Sequence, residues 1–140
     1  NAGGDIYLMG APRGESGWLV GLQDPMNKDK VVATVRLKDK AVATSGNYEN
    51  FVNVDGHRYG HIFDPRAGKP SEAVLSATIV ADDVTTADAL STTAFVMGKS
   101  DAISCIEQRG DTECVLLAYG RTPNELDFHK SKGMSGLTVL

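Results

Sequence analysis

Cysteine is scarce: the 140 residues hold two, Cys105 and Cys114. That excludes a disulfide framework, and the spacing is not that of a zinc site. The two flank an expected turn at Gly110-Asp111. They fit either a helix-to-strand disulfide in an oxidising compartment or two buried free thiols, and the sparse count favours the thiols. Basic residues are outnumbered by acidic ones, 14 to 18, giving a net charge of -4 and a pI near 5.3. No basic run interleaves with aromatics, so nothing here matches a nucleic-acid footprint. No apolar run approaches the roughly 20 residues that a helix needs to cross a bilayer. The G-x-S-x-G elbow of serine hydrolases is missing, since Ser45-Gly46 lacks the preceding glycine. No phosphate-binding G-x-x-x-x-G-K-[ST] loop occurs, and Gly10–Gly21 holds no G-x-G-x-x-G. There is no internal repeat. An initiator Met and a signal peptide are also missing, and Asn-Ala-Gly-Gly runs directly into a strand-like stretch. Position 1 is therefore read as an internal point of a longer precursor.

What is present fits one domain, 1–140, with 41% hydrophobic residues and enough chain to bury a core. Fifteen glycines imply many tight turns. Alternating apolar residues predict strands over Asp5–Met9, Trp18–Leu22 and Val31–Leu37. Ala11–Gly17 is loop, Asp24-Pro25 ends the second strand, and Asn27–Lys30 reads as a polar turn. Lys38-Asp39-Lys40 turns the third strand back onto a partner strand, Ala41–Thr44. Such a meander argues for an antiparallel sheet. Ser45–Asn50 breaks the pattern, and Asp55-Gly56 closes a hairpin over Phe51–Tyr59. Gly60–Pro70, with two prolines and two glycines, reads as an ordered loop. Ser76–Ala81 is an apolar strand. A helix follows, capped by Thr85 or Thr86, with Ala87, Leu90, Ala94, Phe95 and Met97 on its apolar stripe and Gly98 as its stop. Ser100 caps a second helix, Asp101–Gln108, stopped by Gly110; Glu113–Tyr119 is a buried strand. The tail, residues 120–140, is read as loosely ordered, with an edge strand at Leu126–His129. The fold class that follows is α+β: a mainly antiparallel sheet with two helices packed on it.

Chemistry concentrates in a few places. Asp88 and Thr92 stand four residues apart on the first helix, so a carboxylate and a hydroxyl lie on one face. Two hard oxygen donors suit Mg²⁺ or Ca²⁺ better than Zn²⁺. Gly3-Gly4 allows a ligand close to the backbone. Ser45-Gly46 presents either a simple loop or a hydroxyl and free N–H groups for a phosphate or a flavin edge. His61, in the loop that continues through Pro65, is the best general acid or base in the chain by intrinsic pKa. His57 and His129 carry no assigned role, and Tyr48 and Glu49 by themselves read as surface residues.

The ordered series is more informative than any member. It runs Asn1-Ala2-Gly3-Gly4-Asp5-Ile6, then Trp18-Leu19-Val20-Gly21 with Asp24-Pro25, then Ala43-Thr44-Ser45-Gly46-Asn47-Tyr48-Glu49. His61-Ile62-Phe63-Asp64-Pro65-Arg66-Ala67-Gly68-Lys69-Pro70 and Ala87-Asp88-Ala89-Leu90-Ser91-Thr92-Thr93 complete it, closing with Val96-Met97-Gly98. This resembles the C-terminal half of the ApbE family, the FAD:protein FMN transferases, with its T-fold-like architecture. The resemblance implies a Mg²⁺-dependent enzyme (Ca²⁺ or Mn²⁺ as alternatives) that moves FMN from FAD to a Thr or Ser hydroxyl of a target protein and releases AMP. By position it implies Asp88 and Thr92 as metal ligands, and Gly3, Gly4, Asp5, Ser45, Gly46, Glu49, His61 and Pro65 at the flavin site, with His61 catalytic. It further implies a missing N-terminal half that completes the metal shell and the pocket. A periplasmic or cell-envelope location follows, lipid-anchored through that half, with a cytoplasmic one still compatible. A non-catalytic flavin-binding or structural fragment, or an FAD pyrophosphatase giving FMN and AMP, are the competing readings.

Overall fold

The computed structural model describes residues 1–47, 51–122 and 124–140, with the side chains of His57 and Arg58 left aside. Five strands form the main sheet, β1 (Ile6–Leu8), β4 (Lys40–Gly46), β9 (Ser76–Ala81), β10 (Glu113–Tyr119) and β11 (Leu126–Lys130), in the order β1-β4-β9-β10-β11 and antiparallel throughout. A second sheet of three antiparallel strands has the order β12-β3-β2, with β2 (Trp18–Asp24), β3 (Asn27–Leu37) and β12 (Thr138–Val139). Two small hairpins complete the strands: β5 (Phe51–Val54) with β6 (His57–Gly60), and β7 (Phe63–Asp64) with β8 (Lys69–Pro70). The helices are α1 (Val84–Met97) and α2 (Lys99–Arg109). The α+β expectation holds, and no helix among the described residues is long and apolar enough to cross a membrane.

Strand alternation explains the layers. On one face of the main sheet Ala41, Ala43, Ala77, Ile79, Ala81, Cys114 and Leu116 are buried with Ala87, Ala94, Phe95, Ala102 and Ile106 of the helices. On the other face Val42, Val80, Val115 and Leu117 are buried with Leu22, Ala33 and Val35 of the second sheet. The main sheet is therefore the middle of three layers. This is why β9 is buried at all six positions and reads as a continuous apolar run. Phe95, fully buried, is the largest side chain locking α1 onto the sheet.

Several local expectations need correction. Ala41–Thr44 lies in β4, but β4 pairs with β1 and β9 in the other sheet rather than with β3. Asp39, at φ 51, makes the turn, and its carboxylate accepts from Gly10 N at 2.7 Å, so the reversal carries the chain between layers. β4 also runs on through Ser45-Gly46, where a break was expected. Asn27–Lys30 is not a turn but the exposed start of β3; the turn is Pro25-Met26, held by Asp24 accepting from Met26 N. Asp83, not Thr85 or Thr86, caps α1: its carboxylate accepts from Thr86 N at 2.9 Å and from the Thr86 hydroxyl at 2.7 Å. The second helix starts at Lys99 with Gly98 as its cap and no side-chain cap bond, so Ser100 lies inside it. Gly110 closes α2 in the left-handed conformation, φ 76, which glycine adopts without penalty. Within Gly60–Pro70, Gly60 ends β6, while Pro65, Gly68 and Pro70 belong to the short β7–β8 hairpin. Both cysteines are free thiols, Cys114 buried and Cys105 half-buried. Burial pushes the Cys114 thiol pKa up, against the opposing hydrogen bond with Ser131.

Candidate functional site

The two sheets do not close completely. Between them runs a cleft of about 490 Å³ whose floor comes from β4, β9 and β10 and whose wall comes from β2. Strand alternation chooses the floor: Val42, Thr44 and Gly46 of β4, and Ser76 and Thr78 of β9, all point away from the helices. Thr44 and Thr78 oppose each other in register and join hydroxyls at 2.8 Å. β2 presents Val20 to Gln23, Leu22 being buried against the main sheet. Because β1 pairs with β4 only over Lys40–Val42, the chain before Ile6 departs from the edge. There Gly3, at φ 68, and Gly4, at φ 108, form a tight turn closed by a bridge between Ala2 and Asp5. The turn borders the cleft, and no side chain stands between its backbone and the ligand space.

Asp88 and His61 border the same cleft. Asp88 is exposed and its carboxylate has no hydrogen-bond or ion-pair partner among the described residues. One turn further along α1, Thr92 is also exposed, but its hydroxyl is engaged: it lies 3.0 Å from Ser45 Oγ, which lies 2.7 Å from Ser91 Oγ. Ser91 Oγ in turn donates to the backbone oxygen of Asp88 at 2.9 Å. Ser45, pointing oppositely to Thr44 and Gly46 on its strand, thus faces α1.

The loop bearing His61 is held at both ends. Ser71 N donates to Ile62 O at 2.8 Å. Asp64 grips Arg66 through two side-chain bonds, of 2.9 and 2.8 Å, while Arg66 Nη2 also donates to Val96 O, at the end of α1, at 3.1 Å. The Arg66 guanidinium and amide hold the Asp64 carboxyl well below the usual range, at about 2. The His61 loop and the helix bearing Asp88 are therefore tied together.

Of the residues singled out from sequence, Gly3, Gly4, Asp5, Gly46, His61 and Asp88 meet around this cleft. Ser45 and Thr92 meet each other beside it, on the helix side of β4. Pro65 sits in the turn of the β7–β8 hairpin and is not part of the cleft lining. Glu49 lies outside the described residues. Thr44, Ser76, Thr78, Gly21 and Gln23 line the cleft and were missed. The signal for Thr44 was available, because Val42-Thr44-Gly46 is a period-two series in which Gly46 had already been singled out. A second hollow, of about 590 Å³, is lined by sequence neighbours of the first: Asn47 follows Gly46, Gly60 precedes His61, and Leu75 precedes Ser76.

For a cation, the donor set is all oxygen. Asp88 and Thr92 share one helix face, and no cluster of three or more His, Cys, Asp or Glu side chains exists among the described residues. That fits a hard cation that keeps most of its shell for water and substrate oxygens, and does not fit a closed transition-metal site.

Residues 1–116 match the model of the ApbE family. Over 107 residues, 75% of this chain, it is 40% identical to an FAD:protein FMN transferase of Treponema pallidum and 36% identical to one of Vibrio cholerae, covering 29% and 32% of those proteins. The chain thus spans about a third of the length of the curated relatives it matches. Among solved structures it resembles the ApbE protein of Thermotoga maritima, with a TM-score of 0.79 and 38% identity over 95% of this chain and 42% of that one. The flavin transferase ApbE from Vibrio cholerae gives a TM-score of 0.75 and 30% identity over 94% and 41%.

Proposed function

This chain belongs to the ApbE family, and from that premise we propose that it forms the flavin-binding and cation-binding portion of a Mg²⁺-dependent FAD:protein FMN transferase. The observation that carries the reading is convergence: Gly3-Gly4-Asp5, Gly46, His61 and Asp88, far apart in sequence, border one cleft. Its volume of about 490 Å³ is of the size that small-molecule and cofactor sites take. The naked backbone at Gly3-Gly4 lets such a ligand lie close.

The reaction balances as a phosphoryl transfer. The hydroxyl oxygen of a target Thr or Ser attacks the FMN-side phosphorus, the pyrophosphate P–O bond breaks, and AMP leaves with the bridging oxygen. A bound Mg²⁺ supplies charge neutralisation at the pyrophosphate oxygens. Asp88 and Thr92 would hold it, with water and substrate oxygens completing its shell. Ca²⁺ or Mn²⁺ satisfies the same donors. His61 takes the proton of the acceptor hydroxyl. The Asp64–Arg66 pair holds the His61 loop against the end of α1 and so limits wandering of the base relative to the cation. The parent protein is assigned to the periplasm or cell envelope, anchored by lipid through a part outside this chain, and membrane fractionation tests that.

The test is direct. Incubate the parent protein with FAD, Mg²⁺ and a target bearing an acceptor Thr. Flavinylated target and stoichiometric AMP are expected; the absence of both refutes the enzyme reading. FMN and AMP without flavinylated target would assign a pyrophosphatase instead. Asp88→Ala is expected to abolish Mg²⁺ dependence, and normal activity in that variant refutes the metal assignment. A non-catalytic flavin-binding module is the second reading. Flavin absorbance of the purified chain, with and without Mg²⁺, separates binding from turnover.

A further inference from the structure

The hydroxyl chain at the α1–β4 junction has only one consistent set of proton directions. Ser91 Oγ lies 2.9 Å from the backbone oxygen of Asp88, which can only accept, so the single Ser91 proton is committed there. At the 2.7 Å contact between Ser91 and Ser45, Ser45 must then donate. Its one proton is spent, so at the 3.0 Å contact with Thr92 it accepts, and Thr92 donates. The Thr92 proton therefore points inward to Ser45, and the lone pairs of its exposed oxygen remain for a ligand.

Thr92 is held this way because its usual alternative is closed. A helical Thr bends back onto the carbonyl four residues earlier, as Thr93 does to Ala89 O at 2.8 Å. For Thr92 that carbonyl is Asp88 O, already taken by Ser91. Ser91 is 1% exposed, so its proton has no solvent alternative either.

We propose that Ser45 is a positioning residue for the cation: backed by buried Ser91, it turns the Thr92 proton inward and presents Thr92 Oγ1 as an acceptor-only donor atom beside the Asp88 carboxylate. This rests on the Mg²⁺ reading above and goes beyond it, because it gives Ser45 work on the metal side of β4 and brings in Ser91. Neither serine touches the cation. Partners that orient a ligand in this way typically change metal affinity by ~10–100-fold when removed.

The experiment is a titration of Mn²⁺ into the full-length protein with FAD present, read by the EPR signal of free Mn²⁺, with no turnover required. Ser45→Ala is expected to weaken Mn²⁺ by about tenfold. Ser45→Thr keeps the hydroxyl and is expected to restore affinity. Ser91→Ala is the sharper case. It frees the Ser45 proton to turn onto Thr92 and drives the Thr92 proton outward, so affinity is expected to fall although Ser91 has no bond to Thr92. Unfolding in the absence of cation checks that each variant is folded, and the serine-to-threonine arm stands if an alanine variant is not. Wild-type affinity in Ser45→Ala overturns the proposal while leaving the Mg²⁺ reading intact. Weakening that Ser45→Thr does not rescue also overturns it, since packing rather than the hydroxyl would then be responsible. A wild-type protein that takes up no Mn²⁺ removes both this proposal and the metal assignment.

Discussion

Gly60 immediately precedes His61, and replacing it with alanine tests how tightly the site is built. Gly60 is buried, and its φ is not in the left-handed region, so the backbone itself tolerates a side chain. The obstacle is Asn47, across the second hollow. A Cβ on residue 60 would fall 2.0 Å from Asn47 Cγ, 2.1 Å from Oδ1 and 2.4 Å from Nδ2. Comfortable contact begins near ~3.5 Å, so the amide must swing away by on the order of 1.5 Å. That amide donates to Ser71 O at 2.8 Å, and Ser71 is 5% exposed. Stripping a buried carbonyl of its donor costs about 1–3 kcal/mol, and an off-rotamer Asn adds about 0.5–1.5 kcal/mol. Gly60→Ala should therefore destabilise by about 2–4 kcal/mol in urea unfolding. Ser71 N also holds Ile62 O, so the strain reaches the His61 loop, and flavin transfer should fall with it. The double mutant decides the cause. In an Asn47→Ala background the three clashing atoms are gone, so adding Gly60→Ala should cost under about 0.5 kcal/mol. If the two single changes simply add, the close approach to Asn47 is not what demands a glycine, and the reasoning fails.

Three further outcomes are expected. Asp83→Ala, which leaves Thr86 N without its cap, should lower the melting temperature by about 2–5 °C, while Asp83→Asn should stay near wild type. Asp64 should titrate near 2 by carbon-detected NMR and return towards the ordinary carboxylate range in Arg66→Ala. Because its folded pKa is depressed, its stabilisation is complete above the unfolded value of 3.8 and is lost as pH falls towards 2, so the stability gap between wild type and Arg66→Ala should narrow across that window. His61→Ala should slow transfer by about 10²–10⁴-fold with FAD still bound; loss of binding with no separate effect on rate would make His61 a positioning group.

Much of the fold was legible wherever local chemistry is decisive. Asp55-Gly56 closes its hairpin as expected, and the bounds of β9 and β10 coincide with their apolar runs. Partner choice was not legible. β3 and Ala41–Thr44 both alternate and are separated by a polar turn, which is the signature of a hairpin, yet they lie in different layers. Alternation specifies a strand and its faces, not the strand beside it. Asn27–Lys30 misled for a related reason: exposed strand ends lose their apolar positions and look like turns. The cap of α1 was missed because Asp83 and the two threonines are all good caps, and only the accepted Thr86 N–H distinguishes them. In the candidate site, separate motifs could be named from sequence, and the period-two series pointed to Thr44, but Thr78 and Ser91 could not be named, since their importance lies in which residue faces them.

β4 shows how much of the site depends on one register. Thr44 and Gly46 floor the cleft, and Ser45 between them reaches the helix. A slip of one residue would send Ser45 into the ligand space and a larger hydroxyl against α1, breaking the Ser91–Ser45–Thr92 chain and the Thr44–Thr78 pair together. What prevents the slip is the packing on both sides: Ala41 and Ala43 are fully buried against helices that leave no room for Val42, while Val42 fills the space against the second sheet. The small-large alternation of Ala41-Val42-Ala43 therefore does more than build a core. It sets which of three consecutive residues faces the cleft and which faces α1, so substitutions at these alanines should disturb both the proposed flavin site and the proposed cation site while contacting neither ligand.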